Sequence, residues 1–167
     1  MFTALYSRFE AYLITVSDNR RSDTGRYWVW EAIDGIKPAV VIVEYNSVFG
    51  PDRAITIPYT PGFQRTRAHY SNLYYGASLR ALDHLARSKG YAFIGGNSAG
   101  NNAYFVRRDT LNACVTEVPV EAGYTVSKVR ESRDPRGRLT YASGRDRLPL
   151  IAGLDVINVL TGQPEKL

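Results

Sequence analysis

Lys37-Pro38-Ala39-Val40-Val41-Ile42-Val43-Glu44-Tyr45-Asn46 is the stretch on which the fold reading turns. Five consecutive apolar residues, four of them β-branched, stand between a proline and an acidic-polar tail. So short a run without alternation suits a strand over 39–45 buried on both faces, as in the middle of a parallel α/β sheet. Chemistry in open α/β sheets gathers at the carboxyl ends of the strands. Here those residues are Glu44, Tyr45 and Asn46, followed by the loop Ser47-Val48-Phe49-Gly50-Pro51.

Working upstream, 12–16 reads as a strand ending at Ser17-Asp18, and 19–26 is polar and turn-like. Asp23 or Thr24 is placed to cap a helix over 27–34, whose Val29, Ala32 and Ile33 recur at helical spacing. Gly35 suits the residue after that helix, and Pro38 prevents its continuation. Downstream, Pro51, Pro58, Pro61 and Gly62 predict a long loop with one short strand at 54–57. Ser71 or Asn72 then opens a helix over 73–88, with Tyr75, Leu79, Leu82 and Ala86 on its apolar face and Gly90 at its end. Strands at 91–95 and 103–107, joined by about seven small and polar residues, read as an antiparallel pair. Beyond them the pattern weakens: a turn at 134–137, a strand at 138–141, a short helix at 147–153 and an extended piece at 155–159.

At 167 residues the chain is one domain by length, with 44% apolar residues and no run that suggests a membrane span. It divides into an N-terminal segment 1–26, an α/β core 27–109 and an irregular extension 110–167. The start mixes Arg8 and Glu10 into its apolar residues, unlike a secretory signal, and the single Cys114 excludes an internal disulfide. Both fit a cytoplasmic protein. The net charge of +5 comes mainly from arginine, 17 Arg against 4 Lys, and guanidinium favours carboxylate or phosphate partners.

Gly96-Asn97-Ser98-Ala99-Gly100 matches the G-x-S-x-G of a nucleophile elbow. The elbow requires a helix after the serine and a histidine further on, whereas His69 and His84 both precede Ser98 and a strand follows. A Gly-rich loop between strands is the better reading. Six arginines between Arg130 and Arg147, with Tyr124 and Tyr141 nearby, have the composition of a nucleic-acid grip. Interleaved Glu131, Asp134 and Asp146 favour a solvated, self-paired surface instead. Glu44 and Asn46 either orient a substrate hydroxyl or satisfy loop backbone. With Asp18 from a neighbouring strand end, they would supply oxygen ligands for magnesium or calcium.

Several stretches also resemble a known family. Tyr27-Trp28-Val29-Trp30 and Val41-Ile42-Val43-Glu44-Tyr45-Asn46 are similar to two motifs of a bacterial group related to FkbM-type methyltransferases. Leu73-Tyr74-Tyr75-Gly76-Ala77-Ser78-Leu79, the run from Gly96 to Arg108, and Arg130-Glu131-Ser132-Arg133-Asp134 look like that group as well. The resemblance covers roughly 27–167. It implies the second half of a class I S-adenosylmethionine-dependent methyltransferase: a partial Rossmann-like sheet, mixed parallel, with a C-terminal antiparallel strand pair. The family's acidic strand end has no clean counterpart in 17–26. Its cofactor turn would lie upstream, so the resemblance implies a chain incomplete for S-adenosylmethionine on its own. An incomplete sheet leaves an edge that invites a homo-oligomer or pairing with another chain.

On this reading Glu44 and Asn46 carry the catalytic end of a glycan or small-molecule acceptor site. Tyr45, His69, Asn97, Ser98 and Asn101 contact the acceptor, and Asp18, Glu44 and Asn46 are optional ligands of Mg2+. Methyl transfer demands orientation more than acid–base chemistry. The alternative is a non-catalytic module binding an anionic ligand or protein partner through the arginine-rich tail and the Asn97–Asn101 loop.

Overall fold

A computed structural model describes residues 26–129 and 131–167 of the chain. The expected strand at Tyr12–Val16, the caps Asp23 and Thr24, and Asp18 lie outside the described residues. Helix α1 (Arg26–Ala32) leads to β1 (Val40–Glu44), then to the two-residue strand β2 (Ile55–Thr56) and a short helix α2 (Arg65–Ala68). Helix α3 (Leu79–Ser88), β3 (Tyr91–Gly96) and β4 (Asn102–Arg107) follow; α4 (Val120–Gly123), β5 (Asp155–Asn158) and β6 (Pro164–Lys166) complete the order.

The strands form two three-stranded sheets, β1–β4–β3 and β2–β5–β6, and every pairing in both is antiparallel. This corrects the fold expected from the sequence: no strand pair is parallel, so the mixed parallel, Rossmann-like sheet is not present among the described residues. The reason lies in β4. The tight turn after β3 returns the chain directly, and β4 inserts between β3 and β1, with Val41 opposite Phe105 and Phe93 opposite the same Phe105. β-branched residues favour a strand in either direction, so the run at 39–43 carried no sign for its neighbours. Nor is β1 buried on both faces. Val41 and Val43 are buried while Val40, Ile42 and Glu44 are half-exposed, the alternation of a sheet covered on one side.

That covered face meets α1 and α3. Trp30 packs its ring 5.1 Å from that of Phe105, which in turn lies 5.5 Å from Phe93, and Leu79, Leu82 and Leu85 fill the space from the helix side. A bulge between Phe93 and Gly95 shifts the register of β3, and Gly95 adopts φ +132, a conformation that side chains resist. A second core, with Phe49, Ile55, Ile57, Ile151 and Val156, underlies the smaller sheet. The Trp28 indole N–H, donating to the Ile57 carbonyl at 2.9 Å, ties α1 to this second half.

Helix α3 begins six residues later than its apolar spacing predicts. Ser78 caps it, its Oγ accepting the N–H groups of Ala81 and of Ile55, each at 3.1 Å. Residues 71–77 instead form a strap, because their carbonyls are claimed elsewhere. Asn46 takes those of Leu73 and Tyr75, and Ile57 N–H takes that of Gly76. A helix there would need the same carbonyls for its own ladder. Among the described residues, no helix is long and apolar enough to cross a membrane.

Candidate functional site

Where β1 ends, the two halves of the molecule meet around Asn46. This side chain is 1% exposed and fully engaged: its Nδ2 donates to the carbonyls of Leu73 (2.8 Å) and Tyr75 (2.9 Å), and its Oδ1 accepts the Val48 N–H (3.0 Å). The residue thus caps the turn over 47–49 and fixes the strap at one stroke. A third segment is bound to the same corner. The Tyr45 hydroxyl donates to the Thr125 carbonyl at 2.7 Å, the Tyr124 hydroxyl to that of Ser47 at 2.6 Å, and the Ser127 N–H to Ser47 Oγ at 2.9 Å. These part-buried bonds tie the 124–129 segment to the end of β1.

The three segments enclose a cleft of about 90 Å³ bordered by Glu44, Arg65, Tyr75, Asn101, Glu131 and Arg147. Arg65, on α2, donates through Nε to the Asn72 carbonyl at 2.5 Å and lays its guanidinium 4.2 Å from the centre of the Tyr75 ring. Arg147 is only 3% exposed, and its guanidinium donates to the carbonyls of Ala142 (2.9 Å) and Val129 (2.8 Å). Glu44 forms an ion pair with Arg26. Burial, followed by the nearby Glu44 carboxylate, pushes the Tyr75 hydroxyl up from its ordinary value, while Arg65, Arg26 and Arg147 oppose the shift. The phenol therefore stays protonated at neutral pH and remains able to donate.

Of the residues expected from the sequence, the structure brings Glu44, Asn46 and Asn101 to this cleft. Tyr45, expected at the rim, is buried beneath it. Asn97 stands one bond behind: its Nδ2 donates to Asn101 Oδ1 at 2.8 Å, and its Oδ1 accepts the N–H groups of Asn101 and Asn102. Ser98 is exposed at the turn tip, and His69 lies beyond α2, paired through Nδ1 with the Ser71 hydroxyl at 2.8 Å; neither borders the cleft. The turn runs into β4 rather than a helix, as the sequence indicated. The motif's last glycine has a different use: a Cβ on Gly100 would stand 2.6 Å from the Val126 carbonyl oxygen, so glycine lets the 124–129 segment cross the turn.

The expected divalent-metal set fits poorly. Asp18 lies outside the described residues, Asn46 Oδ1 accepts a backbone N–H, and Glu44 faces a guanidinium. Among the described residues, no group of three His, Cys, Asp or Glu is placed to hold a metal.

Sequence reasoning missed Arg65, Tyr75 and Arg147. The apolar spacing puts Tyr75 on a helix face, but α3 starts only at Leu79. Arg147 sits in the arginine-rich stretch read as a solvated surface, which describes Arg138 on Asp134 but not the buried Arg147. No family model, no curated protein and no solved structure matches this chain.

Proposed function

We propose that the Glu44–Arg147 cleft binds the anionic group of a small molecule. One observation carries the reading: guanidinium groups from two distant parts of the chain, Arg65 and Arg147, converge on a single cleft, each already oriented by backbone carbonyls. A planar fork held in place loses little rotamer freedom when it meets a carboxylate or phosphate. Asn101 and Tyr75 add neutral donors beside it. The cleft's volume suits one anionic head-group rather than a whole ligand. Calorimetric titration of the full chain with inorganic phosphate and with citrate at low ionic strength tests this. Binding that Arg65→Met weakens at least tenfold is expected, and no heat at millimolar concentrations of either overturns the reading.

A second reading is methyl transfer to a glycan or small-molecule acceptor. Its support is that stretches resembling the methyltransferase group meet at this one cleft, contributing Glu44, Asn46, Leu73, Tyr75, Asn101 and Glu131. The cleft is then the acceptor end, Asn46 positions rather than reacts, and S-adenosylmethionine supplies the methyl group. Titration with S-adenosylhomocysteine decides it: micromolar binding, through a site completed by a second copy of the chain, is expected, and no heat at millimolar ligand sinks it.

A further inference from the structure

The cleft does not end at Glu131. On the other side of that residue a wider hollow of about 380 Å³ is bordered by Thr66, Tyr70, Asn72 and Arg133, with Glu131 lining both spaces. The two are also joined through Asn72, a residue bordering the hollow, whose carbonyl accepts the Arg65 Nε of the first cleft. A third hollow of about 310 Å³ continues past Tyr70 and Arg133 toward Thr140 and Leu150.

Tyr70 is the aromatic side chain among the four residues, with Arg133, Asp134 and Pro135, that border both larger hollows. It is 41% exposed, yet its ring is braced by His69, centroid to centroid 4.2 Å, and His69 is held in turn by Ser71. An exposed aromatic ring kept in place offers a flat apolar face. Around it stand a hydroxyl (Thr66), an amide (Asn72), a carboxylate (Glu131) and a guanidinium (Arg133), which is itself oriented by the Gly137 carbonyl at 2.8 Å. A flat apolar face rimmed by polar side chains complements a pyranose, whose C–H groups present an apolar face and whose hydroxyls project from the edge.

We infer that the ligand is a monosaccharide carrying an anionic group, its ring on Tyr70 and its phosphate or carboxylate between Arg65 and Arg147. The inference rests on the anion-binding reading above and adds the substrate class. A hollow of this size suits one sugar ring, and Glu131 stands at the junction, where it meets the first hydroxyl beyond the anionic group.

The test is calorimetric titration of the full chain with glucose 6-phosphate, mannose 6-phosphate, glucuronate, inorganic phosphate and adenosine monophosphate. At least one sugar anion is expected to bind about tenfold or more tighter than inorganic phosphate. Tyr70→Ala should reduce it to the phosphate level, and Tyr70→Phe, which keeps the ring, should retain the gain. Phosphate binding with no added affinity from any sugar overturns this inference and leaves the anion site standing. Adenosine monophosphate binding tightest, with the same dependence on Tyr70, overturns it in favour of a nucleotide. No binding by any of the five overturns both.

Discussion

Two regions of the molecule, the packed half built on β1 and the polar half around the cleft, are held together by different physics. Around β1, β3, β4 and the helices α1 and α3, stability comes from apolar packing: Val41, Val43, Leu82, Phe93 and Phe105 are each at most 1% exposed. Around the cleft, the strap 71–77 and the segment 124–129 carry few such residues and are fixed by side chains bonded to backbone. Among the described residues, Asn46, Tyr45, Tyr124 and Arg147 make eight such bonds to carbonyls or N–H groups. Packing builds a scaffold that tolerates conservative change. Directed hydrogen bonds build a polar cavity whose shape depends on a few side chains.

The largest expected effect lies in the packed half. Leu82→Ala removes a fully buried side chain between α3 and the sheet and should cost about 4 kcal/mol in denaturant unfolding, with the phosphate affinity of the folded fraction unchanged. Asn46→Ala should cost about 3 kcal/mol, since it leaves two carbonyls and an N–H without their partner. Unlike Leu82→Ala, it should also abolish phosphate binding at temperatures where the chain is still folded. Equal effects of the two variants on binding would erase the distinction between the halves.

Gly100→Ala probes the seam where the halves touch. The new methyl group meets the carbonyl oxygens of Thr125 and Val126, and the φ of +72 resists any side chain, so a loss of about 2 kcal/mol is expected. If a crossing of backbones is what the glycine serves, the variant should also raise amide exchange at Lys128, whose N–H donates to the Ala99 carbonyl at 2.9 Å. Unchanged exchange there would mean that the segment does not depend on the turn.

The same contrast explains what the sequence disclosed. β1, the β3–β4 hairpin, the end of α3 at Gly90 and the extended piece at β5 were legible because alternation, β-branching and glycine punctuation are local signals. Sheet direction was not, because it is decided by where β4 inserts, and nothing in Val40–Val43 reports its neighbours. The start of α3 was hidden for a related reason. Spacing placed Tyr75 on a helix, but an asparagine 29 positions upstream claims the carbonyl of that residue. In the site, Glu44 and Asn46 were visible as polar residues closing an apolar run. Arg65 and Arg147 were not, since their convergence is a product of tertiary folding, and a buried arginine looks like any other within a charged stretch.

The smallest effect concerns His69, which belongs to neither core and supports Tyr70. Burial lowers its pKa from the ordinary 6.5, so the folded protein favours the neutral ring. Above about pH 6.5 the ring is neutral in both folded and unfolded chains, and this contribution to stability is fully present. As the pH falls through that value the unfolded chain takes up a proton first, and the contribution is lost progressively until the folded pKa is passed. Glu117 acts in a separate window. Its carboxyl, held below the ordinary 4.5 by Arg108 and then Arg87, loses its contribution only at more acidic pH. Unfolding free energy measured across this range should therefore decline on acidification below about pH 6.5, and His69→Gln should flatten that first decline while leaving the more acidic one intact. An unchanged slope near pH 6 in the variant would show that the ring beneath Tyr70 is open to water, and the polar half would then be looser than its hydrogen bonds imply.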